Sequence, residues 1–314
     1  MGPARRAKFR FRIAARRWGL PVRRPRFGRR VTAPALGQLY EMPKSMPADW
    51  PVLVEHGPLQ VRIATSKHEI QAAQRLRYHI FYEEMSATPT RRMRLQKRDF
   101  DKYDRFCDHM LVVDRGARGA FGEPAVVGTY RLLRGEIAAR HGGYYTSAEY
   151  DLSSVMANNG PGTRYLELGR SCVLKTYRAK PITMQLLWKG IMVYLERYGI
   201  DVMFGCGSLP GTDPDALKLP LSYLHHFHRA PDSQHLRARP ERYVSLNRMP
   251  KDAIDPKSAM RKLPPLIKGY IRAGAVIGDG AVIDRQFGTT DVLIYFPLSR
   301  MGTRYRARLT NSTS

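Results

Sequence analysis

Apolar and polar side chains alternate over residues 165–169, where Leu166 and Leu168 fall on one face of an extended chain and Tyr165, Glu167 and Gly169 fall on the other. The pattern predicts a strand that carries a carboxylate on a sheet face. Residues 182–198 have apolar side chains nearly all round, among them Ile182, Leu187, Ile191 and Leu195, and no internal proline, which predicts a buried helix. A basic turn over residues 173–181 joins the two, and its Pro181 suits the first turn of the helix. Unpaired backbone N–H groups and the positive end of the helix dipole converge at such a corner, so it is suited to an anion. Arg178 and Lys180 are the candidate phosphate ligands.

Residues 61–64 predict a short strand, and Ser66 followed by Glu69 makes a capping box for the next helix. In that helix Ile70, Ala73, Leu76, Ile80 and Phe81 form the apolar face, with Arg75 and Arg77 off it. A run of cations at residues 91–98 leads into Asp99, Asp101, Asp104 and Asp108. This acidic run lacks the turn glycine and closing glutamate of a calcium loop, so no metal site is expected. His109 and Asp114 spell an H-x4-D pattern, but the four residues between them are apolar and predict a buried strand, on which positions five apart face opposite ways. Residues 125–134 and 201–207 predict further strands, and residues 135–162 an insertion between them. Asp213 is a candidate cap for a helix running through Phe227. The last helix-end residues, His225, His226 and His228, do not share one helical face as metal ligands would. Residues 263–270 open a short helix, 291–296 a last strand, and 301–314 a frayed tail.

Length and composition fit either one large domain with appendages or two small ones: 314 residues, 43% of them apolar. Cys107, Cys172 and Cys206 have neither disulfide-framework nor zinc spacing. No apolar run approaches the roughly 20 residues that span a bilayer. The net charge changes the picture, because it is +26, and twelve of the cations stand in the first forty residues with no acid among them. Such a field attracts nucleic acid, anionic lipid or an acidic protein. Residues 1–58 read as a basic arm and a linker bearing Pro34, Pro43, Pro47, Pro51 and Pro58; residues 59–300 read as the domain. In the arm, residues 9–20 interleave arginines with Phe9, Phe11, Ile13 and Trp18, as a membrane-surface helix or a solvated arm would. Glycine loops of the nucleotide-hydrolase and dinucleotide types are lacking, as are finger and RRM signatures, so no specific nucleic acid partner is expected.

Four segments in order, RLRYHIFYEEM from Arg75, DFDKYDRFCDHMLVVD from Asp99, YLELGRSCVLKTYR from Tyr165 and LPPLIKGYIRAGA from Leu263, make the chain resemble the bacterial L-ornithine N-alpha-acyltransferases of the Gcn5-related superfamily. The resemblance covers residues 62–295. It implies an α/β fold with a mixed central sheet flanked by helices. It also implies transfer of a 3-hydroxy fatty acyl group from acyl carrier protein to the α-amino group of ornithine. No cofactor would be bound permanently, since 4'-phosphopantetheine arrives on the donor. The positive surface suits an acidic carrier protein and an anionic membrane, so the expected location is cytoplasmic and peripheral at the inner membrane. The superfamily's glycine-rich acetyl-CoA loop is degenerate here, with Ala179 and Pro181 in it, which fits a carrier-protein donor.

In straight alternation Arg170 would share the Leu166 face, an expensive place for a guanidinium. A bulge near Gly169 reverses the parity and turns Glu167 and Arg170 toward one cavity. The resemblance implies that a backbone N–H freed there polarises the thioester while Glu167 takes the amine's proton and Arg170 positions it. A structural Glu–Arg ion pair is the alternative. By the same resemblance Val173, Arg178 and Lys180 would hold the donor and Asp101 and Asp104 the acceptor's ammonium, while Arg77 is a candidate to touch the acyl donor or carrier, with a solvated arginine beside the core helix as the alternative. The spacing of Glu167 and Arg170 also resembles acyl-homoserine-lactone synthases, which stay open as a second reading beside a non-catalytic basic protein.

Overall fold

The computed structural model describes residues 52–119 and 124–302. The basic arm with most of its proline linker, and the chain from residue 303, lie outside the described residues. The strands are β1 (Val52–His56), β2 (Leu59–Ile63), β3 (Asp108–Arg118), β4 (Pro124–Arg134), β5 (Tyr150–Asp151), β6 (Tyr165–Val173), β7 (Val202–Pro210), β8 (Arg237–Ala238), β9 (Val276–Asp284) and β10 (Thr289–Pro297). They form one sheet in the order β1-β2-β3-β4-β6-β7-β10-β9-β8-β5. Neighbours are antiparallel except β6 with β7 and β8 with β9, so the sheet is mixed.

The helices are α1 (Lys67–Tyr78), α2 (Arg91–Gln96), α3 (Gly135–Arg140), α4 (Ser153–Asn158), α5 (Lys175–Arg178), α6 (Pro181–Tyr198), α7 (Lys218–His228), α8 (Pro256–Lys262) and α9 (Pro265–Ala273). The alternation of β6 decides which layer each face meets. Leu166 and Leu168 pack with Leu187 and Ile191 of α6 and Ile267 of α9. Tyr165 packs on the other face with Tyr144, Phe204 and Tyr295. Ser66 caps α1 by accepting from Glu69 N at 3.2 Å, and the Glu69 carboxylate reaches back to Thr65 N at 2.7 Å. Beyond α1 the chain widens into a π-helical turn, His79–Glu84. Among the described residues no helix is long and apolar enough to cross a membrane.

The central feature is the parting of β6 and β7. They pair only from Tyr165 with Val202 to Glu167 with Phe204. Gly205 then lies so close that an added Cβ would stand 2.2 Å from the Leu168 carbonyl oxygen. Gly205→Ala would have to push the strands apart at the point where they separate, and the expected destabilisation is about 1–3 kcal/mol. A denaturant midpoint equal to that of the wild type would show that the backbone absorbs the methyl freely.

Four elements differ from the sequence expectation. Strand β1 lies inside the stretch read as linker, because Pro51 and Pro58 bracket the strand rather than interrupt its ladder. Strand β9 was not expected: its sequence VIGDGAVID carries two glycines and is buried at most positions, so it shows no apolar and polar alternation. Asp213 does not cap α7; its carboxylate accepts from Asp215 N at 2.9 Å, and α7 starts only at Lys218. Met301 is buried, so fraying does not begin at 301.

Candidate active site

Strand β6 is irregular at Arg170. Thr129 of β4 faces Cys172 and Arg131 faces Gly169, so Arg170 and Ser171 together stand opposite Tyr130 alone. Arg170 has a φ of 53°, in the left-handed region that a non-glycine residue enters at a cost. This is a β-bulge, and it takes a backbone N–H out of the ladder beside the parting of β6 and β7. It also turns Glu167 and Arg170 toward one neighbour. Tyr145 N donates to Glu167 Oε2 at 2.9 Å, and the Arg170 guanidinium lies 5.2 Å from the centre of the Tyr145 ring. They do not form an ion pair with each other.

Glu167 is 5% exposed, and its second oxygen accepts from Thr146 N at 2.6 Å. Burial raises its pKa against the pull of these N–H groups. With each oxygen accepting from backbone, Glu167 anchors the turn at residues 145–146 against β6.

The other expected residues gather into a buried ion network. Arg77 is fully buried, not solvated beside the core: Nε lies 2.8 Å from Asp99, and Nη2 lies 2.6 Å from Asp104. Arg131 Nη1 lies 2.7 Å from Asp101 and 3.5 Å from Asp104. Arg170 Nη2 completes it at 3.4 Å from Asp101. Three guanidinium groups thus meet three carboxylates, and charge is balanced without a ligand. Burial opposes ionisation of Asp104, but Arg77 and Arg131 outweigh it and hold its carboxyl well below the usual range. His109 Nε2 donates to the Asp104 carbonyl at 3.0 Å, and burial lowers its pKa to about 4, so it is neutral at physiological pH. Asp114 faces away and accepts from Tyr177 Oη at 2.7 Å. Arg77, expected at the donor, and Asp104, expected at the acceptor, are therefore sealed inside this network, and Asp101, 20% exposed, reaches its edge.

A different set of acids gathers at an open cleft. Carboxylate oxygens of Glu149, Asp284 and Asp291 lie within 4.8 Å of one another. They come from the excursion between β4 and β6, from the end of β9 and from β10, so sequence spacing gave no hint of them. Glu149 and Asp284 line a cleft of about 530 Å³ with Tyr145, Arg242, Arg285 and Gln286. Glu149 Oε2 accepts from Cys206 Sγ at 3.2 Å, and Cys206 adjoins Gly205 at the strand parting. Burial, with Asp291 nearby, raises the Glu149 carboxyl to about 7. Three hard oxygen donors would suit a cation, either a metal ion or an ammonium group.

On the far side of β6 lies the basic corner. Lys175 and Lys180 are exposed, and the Lys180 ammonium stands 4.4 Å from the centre of the Tyr177 ring. Arg178 Nε donates to the Val173 carbonyl at 2.6 Å, and its Nη2 pairs with Glu84, so the guanidinium is partly committed to the fold. The histidines of α7 are structural: His226 bonds the Met249 carbonyl at 2.9 Å and His228 the Tyr223 hydroxyl at 3.0 Å.

The acetyltransferase (GNAT) domain family matches residues 76–189. Over 247 residues the chain is 49% identical to the L-ornithine N(alpha)-acyltransferase of Rhizobium meliloti, spanning 79% of this chain and 82% of that one. Over 254 residues it is 49% identical to the enzyme of the same name from Brucella abortus, spanning 81% and 89%. Among solved structures, FeeM, an N-acyl amino acid synthase from uncultured soil microbes, is 12% identical with a TM-score of 0.43, spanning 79% of this chain and 97% of that one. On the strength of the two curated relatives, the chain belongs to the L-ornithine N(alpha)-acyltransferase family and carries a GNAT domain.

Proposed function

We propose that the protein moves a 3-hydroxy fatty acyl group from acyl carrier protein to the α-amino group of ornithine. The observation that carries this reading is the cleft lined by Glu149 and Asp284, with Asp291 buried next to them, whose carboxylates and the cations Arg242 and Arg285 suit an amino acid with a second ammonium group. The arginines match the α-carboxylate, and Asp284 and Asp291 match the side-chain ammonium. Glu149 takes a proton from the α-ammonium. The freed amine attacks the thioester carbonyl, and the C–N bond forms while the bulge N–H stabilises the oxyanion. The C–S bond then breaks, and the departing pantetheine thiolate takes up a proton. Burial pushes the Cys172 thiol up to about 12, which suits direct attack rather than an acyl-enzyme.

The donor meets Lys175, Arg178 and Lys180, whose charge suits a phosphopantetheine phosphate on an acidic carrier. A protein of this charge also suits a peripheral position at an anionic inner membrane. Charge reversal at Lys175 and Lys180 together is expected to raise the KM for acyl carrier protein about tenfold at low salt, with the gap closing as salt rises. Equal KM values for wild type and variant across the salt series would remove the carrier from this corner.

A further inference from the structure

Leu168, Met203, Leu266 and Phe296 line a small apolar cavity where β6 and β7 part beneath α9, and two hydroxyls, those of Tyr130 and Tyr270, share it with them. The two tyrosines are 4% and 5% exposed, and their oxygens lie 3.0 Å apart. Ser171, one of the two bulge residues, stands opposite Tyr130, and its hydroxyl is near enough to favour the ionised form of the Tyr130 phenol. A string of hydroxyls, Ser171 to Tyr130 to Tyr270, thus runs from the bulge into the apolar cavity. Tyr130 and Tyr270 are each other's partner, so the pair is stable alone, yet a hydroxyl both donates and accepts and can take in one more such group.

We propose that this string selects the 3-hydroxyl of the acyl donor. The inference rests on the reading that the bulge N–H receives the thioester carbonyl. Tyr130 stands opposite the bulge, and carbon 3 of an acyl group is two C–C bonds, about 1.5 Å each, from the carbonyl carbon. A 3-hydroxyl therefore meets Ser171 or Tyr130 at the mouth of the cavity, and the rest of the chain continues among Leu168, Leu266 and Phe296. The cavity holds about 20 Å³, room for about one water, so the chain enters by displacing α9 side chains. A donor without the hydroxyl gains no hydrogen bond from Ser171 or Tyr130, so a hydroxylated donor of equal length is bound in preference.

The test compares kcat/KM for 3-hydroxyacyl and plain acyl carrier proteins of equal chain length, with ornithine as acceptor, in wild type, Ser171→Ala, Tyr130→Phe and Tyr270→Phe. Thermal melts confirm that each variant is folded. Wild type is expected to prefer the hydroxylated donor, and Tyr130→Phe to reduce the preference about tenfold; Ser171→Ala should reduce it as well, and Tyr270→Phe by less. A wild type that acylates ornithine with the same preference as all three variants overturns the selection role alone. A wild type that acylates ornithine from neither donor overturns the function on which it rests.

Discussion

Arg77→Met is expected to lower the unfolding free energy by about 3–5 kcal/mol, because it leaves Asp99 and Asp104 buried with one guanidinium fewer. Methionine replaces the stem of the side chain and so limits the cavity, which makes the loss chiefly electrostatic. Chemical denaturation at neutral pH measures it. The pH dependence carries the same signature. Asp104 has its folded pKa below its unfolded one, so its contribution is full above the ordinary carboxylate pKa and is lost as pH falls through that value and below. Wild type should therefore lose stability in acid more steeply than Arg77→Met. A variant as stable as wild type at pH 7 would mean that the network contributes nothing net to the fold.

Glu149→Gln is expected to lower kcat about a hundredfold to ten-thousandfold while leaving the protein folded. The carboxylate form is the one that accepts a proton, so wild-type kcat/KM should rise with pH through about 7 and the residual activity of the variant should not. The groups around this carboxyl are Asp284 and Asp291 of the acidic trio, Arg242, Cys206 and Tyr145. Stability runs the other way. Glu149 has its folded pKa raised, so what it contributes is present below the ordinary carboxylate pKa and lost as pH rises to about 7. At pH 8 the glutamine variant should melt higher than wild type. A fully active Glu149→Gln protein would remove Glu149 from proton transfer.

Much of this site was legible in the sequence because local pattern dictated it. The alternation of Leu166 and Leu168 fixed the faces of β6, and the cost of a guanidinium on the apolar face called for the bulge that Arg170 occupies. The apolar run after His109 ruled out a His–Asp pair, and Asp114 indeed faces Tyr177 instead. Long-range pairing was not legible. Arg77 lies off the apolar face of α1 and so reads as solvated, yet its partners stand 22 and 27 residues downstream. Glu149, Asp284 and Asp291 are brought together only by sheet order, since β10 pairs with both β7 and β9. The partners of Glu167 were hidden for a related reason: its carboxylate meets backbone from the excursion after β4, which no spacing within β6 encodes.

The most direct measurement is mass spectrometry of the product formed by the full chain from 3-hydroxyacyl carrier protein and ornithine, with lysine, glutamine and S-adenosylmethionine as competing acceptors. The expected product is ornithine acylated on its α-nitrogen, formed in preference to any other amide. Acylation of the side-chain nitrogen, a lactone from S-adenosylmethionine, or no acyl transfer would contradict the placement of the acceptor in the acidic cleft.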